Sequence, residues 1–168
     1  MKRLSLLVTV CGILLPILAV RTPVNGQEWV LPVSGDVRHP LMITHKDFAA
    51  YPHLEVTVQT SKGKPIVFRG VTLYNLLQFV GAPMGDSTEG KNQTWYVQAE
   101  ASDGYKVLFA LAEIDTSFSK NSILVADGKN GGSLDTNAAP LMIVVPQEQR
   151  HGRWIRHLTA LRVLRATQ

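Results

Sequence analysis

The chain has 168 residues, a net charge of +4, a sequence pI near 9.4 and a single cysteine. Lys2, Arg3 and Arg21 lie in the first 26 residues without one acid. Setting that segment aside therefore takes the net charge from +4 to +1, a balance that gives no support to a nucleic-acid partner. Cys11 lies in the same segment, so the remainder can form no disulfide and no cysteine-ligated zinc site, and it has no thiol nucleophile.

Met1-Lys2-Arg3 precedes an apolar run from Leu4 to Val20, broken by Gly12 and Pro16, and Val24-Asn25-Gly26 then leads to Gln27. This is the layout of a secretory signal peptide. An uncleaved anchor is the competing reading, but a run of about 17 residues is at the short limit for crossing a bilayer. Pro16 and the small-residue exit favour cleavage. The expectation is removal of residues 1–26, a periplasmic or secreted product with no stable membrane anchor, and one domain over 27–168, an ordinary domain length.

Thr44-His45-Lys46-Asp47 signals a short helix, with the threonine as cap and Asp47 in the first turn, ended by Pro52. Leu54 to Thr60 alternates with period two and reads as a half-buried strand. Ser61 to Lys64 reads as a turn, and Pro65 to Arg69 as the returning strand of a hairpin. Leu73, Leu76, Leu77 and Val80 then fall on one helical stripe, with Thr72 as N-cap and Gly81 and Pro83 as the stop.

Further extended segments are Trp95 to Ala101, Lys106 to Ala110, Ser122 to Ala126, Leu141 to Val145 and Leu158 to Leu164. Leu111 to Ile114 adds a helical turn, and Asp127 to Gly132 is a turn-rich loop. The pattern predicts about seven strands and two or three short helices without βα alternation. That is an α+β fold with a mixed sheet or small barrel core. Core positions are Val56, Val58, Leu73, Leu76, Leu77, Val80, Ile143 and Val145. No G-x-G-x-x-G or Walker pattern is present.

His39, His45, His53, His151 and His157 show no HxH or HxxxH spacing, so no metal site is expected from them. Glu113 and Asp115 read as a solvated face, and Ser34-Gly35-Asp36 as an ordinary turn. Asp103-Gly104-Tyr105 reads as a tight turn in which glycine gives the backbone freedom. Arg150-His151-Gly152-Arg153-Trp154-Ile155-Arg156-His157 is the densest basic run. Guanidinium groups suit bidentate anion binding. The alternative is a solvated loop with Trp154, Ile155, Leu158 and Leu161 buried and the arginines facing water.

Several of these pieces occur in one order. Gly70-Val71-Thr72-Leu73 opens the Leu76-Leu77 helix. Asp103-Gly104-Tyr105, Ala126-Asp127-Gly128, Pro140-Leu141-Met142-Ile143-Val144-Val145-Pro146 and the basic Gly-x-Trp stretch follow. In this order the chain resembles, over residues 30 to 165, the molybdopterin-binding domain of the sulfite oxidase family.

The resemblance implies an α+β domain holding molybdenum on a pterin dithiolene for two-electron oxygen-atom transfer. It places the family's metal-binding cysteine at Gln59-Thr60-Ser61, where there is no thiolate. It places Met142 where enzymes acting on sulfite often carry arginine. Arg153 matches a basic position of the family, and Asp103 and Tyr105 its Asp-Gly-Tyr turn. The expected cofactor-binding residues are Arg150, Arg153, Arg156, Asp103 and Tyr105, with no protein metal ligand.

The resulting expectation is an exported domain of this fold with lost or weakened molybdenum catalysis, binding a small anionic ligand or a periplasmic protein partner. A working molybdopterin oxidoreductase with an unusual ligand set is the alternative, and a purely structural or assembly role is a third.

Overall fold

The computed structural model describes residues 28–59, 63–85 and 93–166. The expected signal segment, Thr60 and Ser61 lie outside them. The described residues form an α+β fold of two sheets and three short helices. Sheet A has the order β2 (Leu41–Thr44), β1 (Val30–Gly35), β10 (Leu158–Arg165), β5 (Trp95–Ala101) and β6 (Lys106–Ala110). Its pairs are antiparallel except β1 with β10, which run parallel in the register Val33↔Leu161. Sheet B orders β3 (Leu54–Gln59), β4 (Pro65–Thr72), β7 (Leu124–Lys129) and β8 (Gly132–Ser133), with β9 (Met142–Val144) also paired to β7.

The helices are α1 (His45–Ala50), α2 (Leu73–Phe79) and α3 (Leu111–Ile114). Both expected caps form. Thr44 Oγ1 accepts from Asp47 N at 3.2 Å, and Asp47 Oδ2 accepts from Thr44 N at 3.1 Å, a reciprocal capping box. The bond from the Thr44 hydroxyl, followed by that from its backbone N–H, holds the Asp47 carboxyl below its ordinary range. Thr72 Oγ1 accepts from Asn75 N at 3.1 Å. Helix α2 ends with Gly81 at φ +66°, while Gly81 N and Ala82 N donate to Gln78 O and Leu77 O. Those are the two bonds of a Schellman stop.

Leu73, Leu76, Leu77 and Val80 are all fully buried, as their spacing requires. They join Leu31, Val33, Phe48, Val97, Phe109 and Leu161 in the main core, which also takes Val71, Val125 and Ile143 from sheet B. The other face of sheet B carries a second cluster that includes Val58, Phe68, Leu124, Ala126, Met142 and Val144. Strands β7 and β9 are thus apolar on both faces around residues 124–126 and 142–144, which removes the usual alternation. Val56 is only partly buried, because β3 is the edge of its sheet.

The structure adds three strands to the sequence reading. Strands β1 and β2 lie ahead of the first expected strand. Residues 34–36 are not a free turn, since Asp36 N donates to Val163 O. Gly35 has φ +94°, and a Cβ there would stand 2.1 Å from Val163 O, so only glycine fits. The expected loop at 127–132 is a hairpin instead. β7 runs to Lys129, turns through Asn130 (φ 50°) and Gly131 (φ 78°), and returns as β8. Two successive positive φ values are the two-residue turn that matches strand twist.

Candidate ligand-binding groove

The basic stretch folds around the end of β9. His151–Arg153 is one 3-10 turn. Ile143 N donates to Ile155 O at 2.7 Å, and the Trp154 indole N–H donates to Val145 O at 3.1 Å. These bonds fix Trp154 edge-on to Phe68, with ring centroids 5.7 Å apart. His151 stacks on the indole at 3.8 Å and 15°.

Beneath this pair lies a cavity of about 190 Å³. Val58, Ile66, Phe68, Leu134, Met142 and Trp154 supply its apolar wall, and Lys129, Asp135, His151 and Arg156 its polar rim. A second hollow shares Met142, His151, Trp154 and Arg156 and adds Tyr105 and Gly152. A third adds Gln59, Glu148 and Arg150. His151 borders all three, so they form one groove along the basic stretch.

The three arginines stand in different surroundings. Arg153 is engaged internally. Its two terminal nitrogens meet Glu113 Oε1 and Oε2 at 2.8 and 3.0 Å. Its Nε donates to Glu148 Oε1 at 2.6 Å, its Nη1 also donates to Leu108 O at 3.2 Å, and the guanidinium lies 4.8 Å from the centre of the Phe109 ring. The Glu113 bonds, helped by Glu148 and opposed by burial, raise its pKa further above the ordinary arginine value. Two carboxylates already fill the position expected to take an external anion, so the geometry does not support an anion site centred on Arg153.

Arg156 is different: it is exposed at the cavity rim and forms no ion pair with any described residue. Lys129 on the same rim is neutralised by Asp135 at 2.5 Å. Arg150 is also exposed and borders the third hollow.

Asp103 does not line the groove, and its Oδ1 accepts from Tyr105 N at 2.9 Å inside its own turn. Tyr105 does reach the groove, where its hydroxyl donates to Gly152 O at 2.8 Å. Met142 is a buried member of the apolar wall.

Glu113 and Asp115 need a different account from a solvated face. Glu113 is the main partner of Arg153, and Asp115 is 2% exposed. Burial works to raise the Asp115 carboxyl. Bonds from Ser117 N, Gly85 N and Ser117 Oγ overcome that and keep it below its ordinary range. No spacing rule links residue 113 or 148 to residue 153, since the three meet only through the fold. The same holds for His53, Arg69 and Asp127, which form a cluster on the opposite face of sheet B. Among the described residues, no group of three or more His, Cys, Asp or Glu is placed to hold a metal ion.

A family model described as oxidoreductase molybdopterin binding domain matches residues 18–168. Among solved structures, the sulfane dehydrogenase SoxCD from Paracoccus pantotrophus is similar in fold, with a TM-score of 0.64 and 18% sequence identity. The match covers 80% of this chain and 38% of that one, so this chain spans well under half of the SoxCD chain. No curated protein matches the chain.

Proposed function

We propose, on the premise that the chain belongs to the oxidoreductase molybdopterin-binding domain family, that it is an exported member that binds a small anionic ligand and has lost molybdenum catalysis. The donor set does not fit the family's metal centre. No cysteine occurs after Cys11, so residues 27–168 offer no thiolate. Hydroxyl oxygens at neutral pH are much poorer ligands for a soft site. Arg153, the basic position that the resemblance assigned to the cofactor, is already held by Glu113 and Glu148.

The observation that carries the binding reading is Arg156, unpaired among the described residues, at the rim of an apolar cavity walled by Phe68 and Trp154. An apolar wall with a few placed polar groups is the usual make-up of a small-molecule site. At about 190 Å³ the cavity is below the roughly 300–1,000 Å³ of drug-sized sites. The part of the ligand that enters this cavity is therefore small and flat or apolar, with one anionic group reaching Arg156. Arg150 extends the same positive edge, and His151 adds a hydrogen-bonding ring to it. The signal-like start, Lys2-Arg3 ahead of an apolar run, supports export.

Two measurements test this reading. Molybdenum and pterin analysis of protein from a host that makes the cofactor should find neither in stoichiometric amount; a full equivalent of molybdenum would favour the oxidoreductase instead. Titration with benzoate and with inorganic phosphate should show binding that weakens with salt, since an open site is screened over about 8–10 Å. Arg156→Ala should weaken it about tenfold or more. Equal binding in the variant would remove Arg156 from the site.

A further inference from the structure

A second pocket opens on the other face of sheet B, with Leu134 at the sheet edge as the one lining residue it shares with the cavity of the basic groove. Its volume is about 630 Å³. Trp29 forms one wall, Glu55 and Arg69 come from β3 and β4, Asp127 from β7, and Gly131 and Gly132 from the hairpin turn. We propose that this pocket binds a neutral, hydroxyl-rich ring of the pyranose sugar type, lying against Trp29 with adjacent hydroxyls on Asp127 and Arg69.

Backbone register is the first observation. Arg69 pairs with Gly128 and Gly70 with Ala126, so Asp127 is an extra residue without a partner on β4. A bulge of this kind re-aims a side chain, and bulges are frequent next to sites. Here it brings Asp127 beside Arg69, with Arg69 Nη1 3.2 Å from Oδ2 and 3.3 Å from Oδ1. His53 holds the carboxylate from the other side. Its Nε2 lies 3.2 Å from Asp127 Oδ2, and its Nδ1 lies 2.7 Å from Tyr51 O. Asp127 is thus fixed in place, while Arg69 stays about half exposed with nitrogens to spare.

Charge decides the ligand class. Two carboxylates, Glu55 and Asp127, disfavour an anion, and Arg69 between them disfavours a cation, while His45, 5.5 Å from the Trp29 ring centre, adds a neutral-capable hydrogen-bonding group to the same rim. A hydroxyl-rich neutral molecule uses both signs: one hydroxyl donates to Asp127 while its neighbour accepts from Arg69. Trp29 meets Phe48 edge-on at 5.4 Å, which braces the indole as a platform for the apolar face of a ring. A Cβ placed on Gly131 would meet nothing within 4 Å, so the hairpin rim leaves space. The volume lies within the range of ordinary ligand sites, roughly 300–1,000 Å³.

Saturation-transfer NMR on the purified chain, with methyl glucopyranoside, methyl mannopyranoside and methyl galactopyranoside as probes, tests the proposal. Transfer to at least one pyranoside is expected, with millimolar affinity. Trp29→Ala and Asp127→Asn should each weaken it about tenfold or more. Trp29→Phe should retain it within about threefold, since the platform persists. Arg156→Ala, on the opposite face, should leave it unchanged, which separates this site from the anion-binding groove. Circular dichroism checks each fold, and Glu55→Gln provides a surface variant should Asp127→Asn fail to fold. No transfer to any of the three sugars at about 10 mM would overturn the proposal. So would equal transfer in the folded Trp29→Ala chain.

Discussion

The two hydrophobic clusters differ in how they end. The main core lies between sheet A, α2 and the inner face of sheet B, and Leu31, Leu76, Leu77 and Phe109 in it are fully buried. The smaller cluster, on the other face of sheet B, stops at Phe68 and Trp154, and beyond them is the cavity rimmed by His151 and Arg156. The same sheet therefore buries the middle of one face under the main core, with the Trp29 pocket only at its margin, and leaves the apolar cluster of its other face open. An apolar wall left open is costly unless something fills it, which marks the second face as a ligand surface.

That contrast can be broken or sharpened by mutation. Leu77→Ala, in the closed core, should cost about 2–5 kcal/mol, read as a fall in the denaturation midpoint. An unchanged midpoint would show that the core is not sealed there. Arg153→Ala leaves Glu113 and Glu148 facing each other without their cation. Breaking a buried pair costs about 3–5 kcal/mol, and the partial exposure of all three groups reduces this to about 2. Phe68→Ala should cost only about 1–2 kcal/mol, below the roughly 3–5 of a sealed phenylalanine, because the space it leaves is continuous with the cavity.

Asp115 gives a pH test of the closed side. Its carboxyl is held below its ordinary value of 3.8, so its contribution is fully present above that value and fades as the pH falls below it. Asp115→Asn should flatten the acid limb of the stability curve below about pH 4. An unaltered limb would mean that its bonds to Ser117 and Gly85 contribute nothing. The smallest expected effect is Arg156→Ala, within about 0.5 kcal/mol of stability, since no described residue pairs with it.

Local chemistry makes much of the fold legible. Thr44 and Thr72 announce their helices because a cap is a bond between neighbours. The leucine stripe from 73 to 80 announces its buried face because helical period is local. Strand β1 stays hidden in the sequence because its pairing with β10 joins residues more than a hundred positions apart, and Pro32 masks its alternation. At the site, the basic stretch and the wall of Trp154 are visible, but their division of labour is not. Arg153 and Arg156 look alike in the sequence. Only the arrival of Glu113 from α3 and Glu148 from the segment after β9 separates them.

The position of β10 has a consequence for how the molecule forms. It is the last of the described strands and the middle strand of sheet A, between β1 and β5. Until residues 158–165 are made, the β1–β2 and β5–β6 hairpins have no strand to join them. Contacts so distant in sequence slow the assembly of sheet A. Sheet B, complete by residue 144, needs no residue of β10, so the last described strand closes only one of the two sheets.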